Sequence, residues 1–430
     1  MNQIEQFIFE FYAFDKSAKT LELHYSFDGT VKFKETYHFP FDFVDYSDDA
    51  LDQACKTLFV MAGISYYKAY APKKISFNSN FLTKDDAGFF KRTYKKGLGE
   101  FFYNNNLDPS QELDFGDTST TTASTVKNTG SGLLIAIGGG KDSLLSYEIL
   151  SGTSNKIATW SVGHAKQLNP LITKMGSKHF TIERTIDSAL LALNETGVYN
   201  GHIPISALFG AIGSVLAVIT GYRDVVVSNE NSANEPTLVY QGVPINHQYS
   251  KSSEFEKDFQ TYLRNHFDDS LRYYSFLRPF SELYIADLFS KICFDKYCSV
   301  FSSCNRAFTQ HSDTLFWCGK CAKCAFVFLI LTPFIPKSEL ETLFEGKNLL
   351  EDEELYPMYE KILGIDAEKP LDCVGEIEES RHAMKIAQDI YPRCSRYVFE
   401  LRPGYDYKQI HGDDMPAEIR EVLTQFLEKA

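Results

Sequence analysis

The sequence predicts an α/β fold: a doubly wound parallel sheet, preceded by an N-terminal antiparallel β plus helical domain and followed by a four-cysteine segment. Three observations carry this. Over residues 132–150 a strand-length apolar run enters a glycine loop and leaves as a helix. Strand-like and helix-like runs then alternate as far as residue 228, as parallel sheets with helical crossovers require. Residues 7–39 alternate apolar and polar side chains with period two.

The N-terminal alternation runs through Phe7, Phe9 and Phe11, then Leu21, Leu23, Tyr25 and Phe27, and resumes at Val31 and Phe33 after Asp28-Gly29. Asp-Gly between two alternating runs predicts a hairpin. Helices are expected from Asp48 onward, including residues 61–70 and the basic, glycine-broken stretch 91–106. Lys91, Arg92, Lys95 and Lys96 there read as a solvated helix face, with contact to a phosphate-bearing substrate as the alternative. Residues 116–131, GDTSTTTASTVKNTGS, have almost no apolar content and read as a linker or exposed loop. The expected organisation is residues 1–125 as an N-terminal domain for substrate recognition, 126–335 as the domain of the glycine loop and the cysteine cluster, and 336–430 as a helical extension.

The segment GLLIAIGGGKDSLLSYEIL (132–150) is the chemical centre of the chain. Gly138, Gly139 and Gly140 let backbone amides approach an anion, Asp142 and Ser143 can cap the helix, and Lys141 stands beside them. It is not a Walker A loop, since Ile135 and Asp142 occupy the places of its first glycine and its Ser/Thr. An ordinary glycine turn is the alternative.

Further strands are expected at 157–162, 178–182 and 224–228, with an all-round apolar, hence buried, helix at 205–220. Loops leaving the carboxyl ends of such strands open on the ligand crevice, which nominates Asn229, Glu230, Asn231, Asn246, His247 and Lys251. A polar surface loop is the alternative. Arg278, before Pro279, suits neutralisation of a phosphate or carboxylate, or else snorkels at the sheet edge. Cys318, Cys321 and Cys324 form two successive Cys-x2-Cys steps, and Cys304, with thirteen residues between it and Cys318, supplies a fourth thiolate. Four soft ligands make a closed, structural zinc site; reduced core cysteines are the alternative.

Composition narrows the class. The 430 residues are 44% hydrophobic and 14% aromatic, which suits two or three well-packed domains. A formal net charge of −14 argues against a nucleic-acid footprint. The strongest apolar run, Ala325 to Leu331, is too short to cross a membrane, and the N-terminus lacks the basic flank of a signal peptide, so a cytoplasmic location is expected.

The glycine loop resembles the PP-loop of ATP pyrophosphatases, with Gly138 in place of the leading Ser, and implies ATP as the anion and a PP-loop type of sheet. Loop plus cysteine cluster resembles 7-cyano-7-deazaguanine synthases over residues 132–330. A closer resemblance is to the UDP-N-acetylmuramoyl-L-alanyl-L-glutamate epimerase family. It rests on MAGISYYKA (61–69), GLGEF (97–101), IGGGKDS (137–143), SNENSA (228–233), INHQYSKS (245–252), LRPFSEL (277–283), SCNRAF (303–308), WCGKCAKCAFVFL (317–329) and KPLDCVGEIEES (369–380). This resemblance implies inversion of the terminal L-glutamate of a UDP-linked muramoyl dipeptide, using ATP and a divalent metal and releasing AMP and diphosphate. Magnesium would bridge phosphate oxygens, with Asp142 or Glu230 as protein ligand. His247 is the expected base, with Lys251 or Tyr249 as the acid on the opposite face. Closure of the activated carboxyl to an oxazolone would acidify Cα further. The alternative is an amide or nitrile synthetase, in which ammonia attacks the same adenylate.

Overall fold

The structure is a computed structural model describing residues 4–77, 81–116, 118–119, 124–153, 155–308, 312–365 and 369–429. In chain order it contains β1 (Gln6–Asp15), β2 (Thr20–Phe27), β3 (Val31–His38), α1 (Asp48–Tyr67), β4 (Lys74–Phe77), α2 (Lys84–Gly97), α3 (Gly99–Asn104), β5 (Leu133–Ala136), α4 (Lys141–Ser151), β6 (Ile157–Val162), α5 (Ala165–Met175) and β7 (His179–Thr185). There follow α6 (Ser188–Asn194), α7 (Ile205–Thr220), β8 (Asp224–Val227), the ribbon strands β9 (Leu238–Tyr240) and β10 (Val243–Ile245), α8 (Ser253–Phe267), β11 (Arg272–Ser275), α9 (Glu282–Ile292), α10 (Phe294–Tyr297) and α11 (Ala322–Leu331). The helices α12 (Lys337–Leu343), α13 (Tyr356–Ile362), α14 (Ile377–Ile390) and α15 (Ala417–Leu427) complete the chain. Two compact units, both discontinuous in sequence, share these elements. Unit 1 comprises residues 1–134, 180–225 and 239–274, and unit 2 comprises 135–179, 226–238 and 275–430.

In unit 1 the strand order is β7-β3-β2-β1-β4. The β2–β3 hairpin turns through Asp28, Gly29 and Thr30, with φ of +52° and +69° at the first two, the positive pair that so tight a turn demands. The period-two pattern buries Phe7, Phe9, Leu21, Leu23, Tyr25 and Phe27 under α1. Contact there is close: a Cβ on Gly63 would stand 2.5 Å from the Phe9 ring. α7 is buried along nearly its whole length, as its all-round apolar sequence requires. One expectation needs enlarging. β7 pairs antiparallel with β3 through Thr36–Thr185, Tyr37–Arg184 and His38–Glu183, because a period-two run announces a strand without specifying its partner.

The linker expected over 116–131 lies partly outside the described residues. Its described end is fastened rather than loose: Val126 N donates to His266 O at 2.8 Å, and Asn128 Nδ2 donates to Tyr222 O at 2.8 Å. Polar composition here serves backbone hydrogen bonding.

Unit 2 holds the carboxyl ends of β5, β8 and β11 together with β6, in the order β11-β8-β5-β6. The step from β5 to β6 passes through a helix, as a parallel crossover requires. α11 is buried along its entire length, matching its apolar sequence, and packs with α9 and α14. No helix among the described residues is long and apolar enough to cross a membrane.

Candidate functional site

The glycine loop leaves β5 at Ile137 and enters α4 at Lys141. Gly140 is the N-cap and supplies no side-chain hydrogen bond to the helix. Asp142 and Ser143, expected to cap, instead lie inside the first turn, where Ser143 Oγ donates back to Gly140 O at 3.2 Å. This corrects the sequence reading: glycine at the cap removes the side-chain acceptor and leaves first-turn amides for another anion. Gly139 has φ of +85°, and its O accepts from Ser302 N at 3.0 Å. A Cβ on Gly140 would stand 3.0 Å from Ser303 Cβ. The segment carrying Ser302 and Ser303 thus buttresses the loop. Gly138 is exposed, with nothing within 4 Å of a Cβ placed there.

Lys141 is buried, and its ammonium lies between Asp142 and Glu282, the first residue of α9. Burial alone would lower its pKa, but the two carboxylates outweigh it and raise the value. Lys323 adds its Nζ at 3.8 Å from Glu282 Oε1 and donates to Cys373 O at 2.6 Å. Arg278 is 1% exposed, and its Nη1 donates to Glu230 O at 2.5 Å. The same loop is stitched by Ser275 Oγ to Asn229 O at 2.6 Å and by Asn231 N to Phe280 O at 3.0 Å. Arg278 therefore reaches inward to loop backbone instead of snorkelling at an edge. Burial pushes the carboxyl of Glu379, on α14, well above the usual range, with Glu376, Glu282 and Glu230 adding to the effect. Its Oε2 has no hydrogen-bond partner among the described residues.

Cys304, Cys318, Cys321 and Cys324 bring their sulfurs within 4.8 Å of one another. The Cys304–Cys321 and Cys318–Cys324 separations are 3.9 and 3.7 Å. Tetrahedral thiolates at about 2.3 Å from zinc stand about 3.8 Å apart, so the donor set fits that metal. Backbone amides of Lys320 and Cys324 donate to Cys318 and Cys321 sulfurs, both at 3.4 Å, a second shell suited to thiolates. Of the five other cysteines, Cys55, Cys293 and Cys394 are buried, whereas Cys298 and Cys373 are partly accessible.

The other nominated residues lie in unit 1. His247 Nδ1 hydrogen-bonds Glu100 Oε2, and His202 Nδ1 lies 3.4 Å from the same oxygen. The two imidazole centroids are 4.7 Å apart. Asn246 Oδ1 accepts from Gln248 N at 2.7 Å, and Lys251 Nζ donates to Gln248 Oε1 at 3.3 Å. Tyr249 is buried, its phenol lifted by that burial above its ordinary value and its hydroxyl without a hydrogen-bond partner among the described residues. The basic face of α2 meets carboxylates of the chain: Lys91 and Lys95 with Glu112 at 2.7 and 3.1 Å, Arg92 with Asp258 at 2.8 Å, Lys96 with Glu254 at 2.5 Å.

Sequence reasoning did not nominate Glu100, His202, Glu282 or Glu379 for a role. Glu282 stands at a helix start 141 residues from Lys141, and Glu100 and His202 meet His247 from positions 147 and 45 residues away in the chain. The one sequence signal at His202 is its place in Gly-His-Ile-Pro, just before the Pro-initiated α7.

Comparison with known proteins covers most of the chain. The profile of the MurL N-terminal domain matches residues 1–276, and that of the MurL C-terminal domain matches residues 300–401. A protein of Xanthomonas oryzae pv. oryzae named UDP-N-acetyl-alpha-D-muramoyl-L-alanyl-L-glutamate epimerase is 37% identical over 431 residues, covering 97% of this chain and 94% of its own. Proteins of the same name from Micromonospora sp. and Salinispora tropica are 36% and 35% identical over 394 residues, each covering 90% of this chain and 87% and 85% of their own.

Proposed function

The chain belongs to the MurL family, and from that premise we propose that it inverts the terminal L-glutamate of UDP-N-acetylmuramoyl-L-alanyl-L-glutamate, in ATP-dependent fashion, during peptidoglycan precursor synthesis in the cytoplasm. The observation that carries the reading is likeness along 90–97% of the chain to proteins named for that activity. The uncapped N-terminus of α4 supports the need for ATP.

The Cα proton of a glutamate carboxylate resists removal because the resulting carbanion sits beside a negative charge. Activation removes this obstacle. In the proposed sequence the substrate carboxylate oxygen attacks the α-phosphorus of ATP and diphosphate leaves, giving an acyl adenylate. His247 takes the Cα proton, the electron pair delocalises into the neutral acyl group, and Lys251 or Tyr249 returns a proton to the opposite face. Water then cleaves the mixed anhydride to AMP and the D-glutamate product. Amides of Gly138, Gly139 and Gly140, with Ser143, would hold the diphosphate, and Lys141 offsets negative charge at the same helix end. Asp142 or Glu230 would hold magnesium, whose chemistry is neutralisation of phosphate charge.

Incubation with ATP, magnesium and the UDP-linked substrate in deuterated water is expected to yield D-glutamate carrying deuterium at Cα, with one diphosphate per activation. Unchanged L-glutamate without deuterium refutes the reading, and consumption of ammonia would favour an amide or nitrile synthetase. His247→Ala is expected to slow Cα exchange by about 10²–10⁴-fold. Exchange at the wild-type rate would remove His247 from the base role.

The four cysteines would hold one structural zinc. Metal analysis of purified protein should give one zinc per chain, lost in Cys318→Ser. Because Ser302 and Ser303 lead directly into Cys304, loss of the metal should also weaken nucleotide binding. Unaltered ATP affinity in a zinc-free variant would refute that coupling.

A further inference from the structure

Glu100 offers one carboxylate oxygen to two imidazoles, at Nδ1 of His247 and, at 3.4 Å, Nδ1 of His202. An ionised carboxylate only accepts hydrogen bonds. The proton of His247 is therefore placed on Nδ1, and Nε2 keeps its lone pair. The side chains of Glu100 and His247 are 12% and 11% accessible, so the pair is shielded but not sealed. Asn104 Nδ2 also donates to Glu100, through Oε1 at 3.3 Å, leaving Oε2 to the imidazoles. Burial opposes ionisation of Glu100, but its hydrogen bond to His247 and its attraction for a proton on either imidazole outweigh this and hold its carboxyl below the usual range. His202 is pushed down to about 4 by burial, with His247, Lys251 and Lys68 adding and Glu100 opposing, so it stays neutral at pH 7. Glu100 can then compensate one new positive charge, and the imidazole in closest contact with it is His247.

We propose that Glu100 is a positioning residue for the inversion: it fixes the tautomer and orientation of His247 and stabilises the imidazolium formed when Nε2 takes the Cα proton. This rests on the reading of His247 as the base. In the step, the Cα–H electron pair stays on the substrate as the enolate and the proton moves to Nε2. Nδ1–H remains hydrogen-bonded to Glu100, which is not itself protonated. His202 stands neutral on a second side of the same carboxylate, its Nδ1 3.4 Å from Oε2.

The test separates activation of the substrate from proton transfer. In Glu100→Gln, Cα–deuterium exchange is expected to fall about 100-fold in kcat with KM little changed, as loss of a supporting partner to an acting histidine does. ATP-dependent diphosphate release in a single turnover should continue at the wild-type rate, because activation precedes proton transfer and does not use this pair. Glu100→Asp, which keeps the charge, should recover part of the exchange. Three results would overturn the proposal: exchange unchanged in Glu100→Gln; exchange and diphosphate release lost together in both variants, which marks a purely structural role; or stoichiometric cobalt binding, with a ligand-field spectrum abolished by His202→Ala, which marks the three side chains as a metal site. His247→Ala exchanging at the wild-type rate overturns the base reading itself, and a wild-type protein that neither exchanges nor inverts overturns the epimerase reading, so the levels of failure are distinguishable.

Discussion

Glu282→Ala is expected to lower the free energy of unfolding by about 3–5 kcal/mol, the cost of leaving a buried charge without its partner. The side chains of Lys141 and Glu282 are only 2% and 3% accessible. Without Glu282, Lys141 retains only Asp142, which is 23% accessible, and Lys323 loses the carboxylate 3.8 Å from its own Nζ. Lys141 would then keep one wetter carboxylate, and Lys323 the Cys373 carbonyl oxygen that it meets at 2.6 Å. Replacing Lys141 and Glu282 together with methionine should recover part of the loss, since the closest pair is removed as a unit, though Asp142 and Lys323 each lose a partner. Urea unfolding at pH 7 measures both. A Glu282→Ala protein within about 0.5 kcal/mol of wild type, the usual range of a neutral surface change, would show that the pair is not buried in solution.

The same pair bears on activity, because it anchors α4 to α9 at the end where the glycine loop enters. Glu282→Ala should therefore also weaken ATP binding.

Gly139→Val is expected to reduce ATP-dependent diphosphate release by about 100-fold or more, the scale of an ångström-sized displacement in an oriented site. Two effects combine. A β-branched residue at φ of +85° costs more than the 1–2 kcal/mol typical of left-handed backbone, roughly, and resists the conformation altogether. Its Cβ would also stand 3.2 Å from Leu168 Cδ2, Leu315 Cδ1 and Ser302 O. The two leucine methyls can yield, but the Ser302 carbonyl is backbone. Relief must come from moving the loop, and with it the amides that would face the phosphates. Gly152→Ala at the other end of α4, where φ is −72° and the nearest atom is 3.6 Å from the new Cβ, is the control and should leave release unchanged. Release at the wild-type rate in Gly139→Val would exclude this loop from the ATP site.

The sequence alone determined the features that depend on neighbours in the chain. Asp28-Gly29 specified its hairpin because few other pairs tolerate two positive φ values. The apolar runs 205–220 and 325–331 specified buried helices, and Cys-x2-Cys steps brought three sulfurs around one knuckle. The strand, glycine loop and helix at 133–151 were legible for the same reason, and so was the family, whose motifs are short contiguous strings. Only the tertiary structure decided which distant groups meet. The capping assignment went wrong at Gly140 because Asp142 and Ser143 are as competent to cap as to occupy a first turn, and the helix start is set by packing. Glu282 reaches Lys141 across 141 positions, and Glu100 reaches His247 across 147. Such partners leave no periodicity, since a carboxylate at a helix start looks the same in sequence whether it faces water, a lysine or an imidazole. Long-range contact turns it into a buried counter-ion in one unit and a histidine's partner in the other.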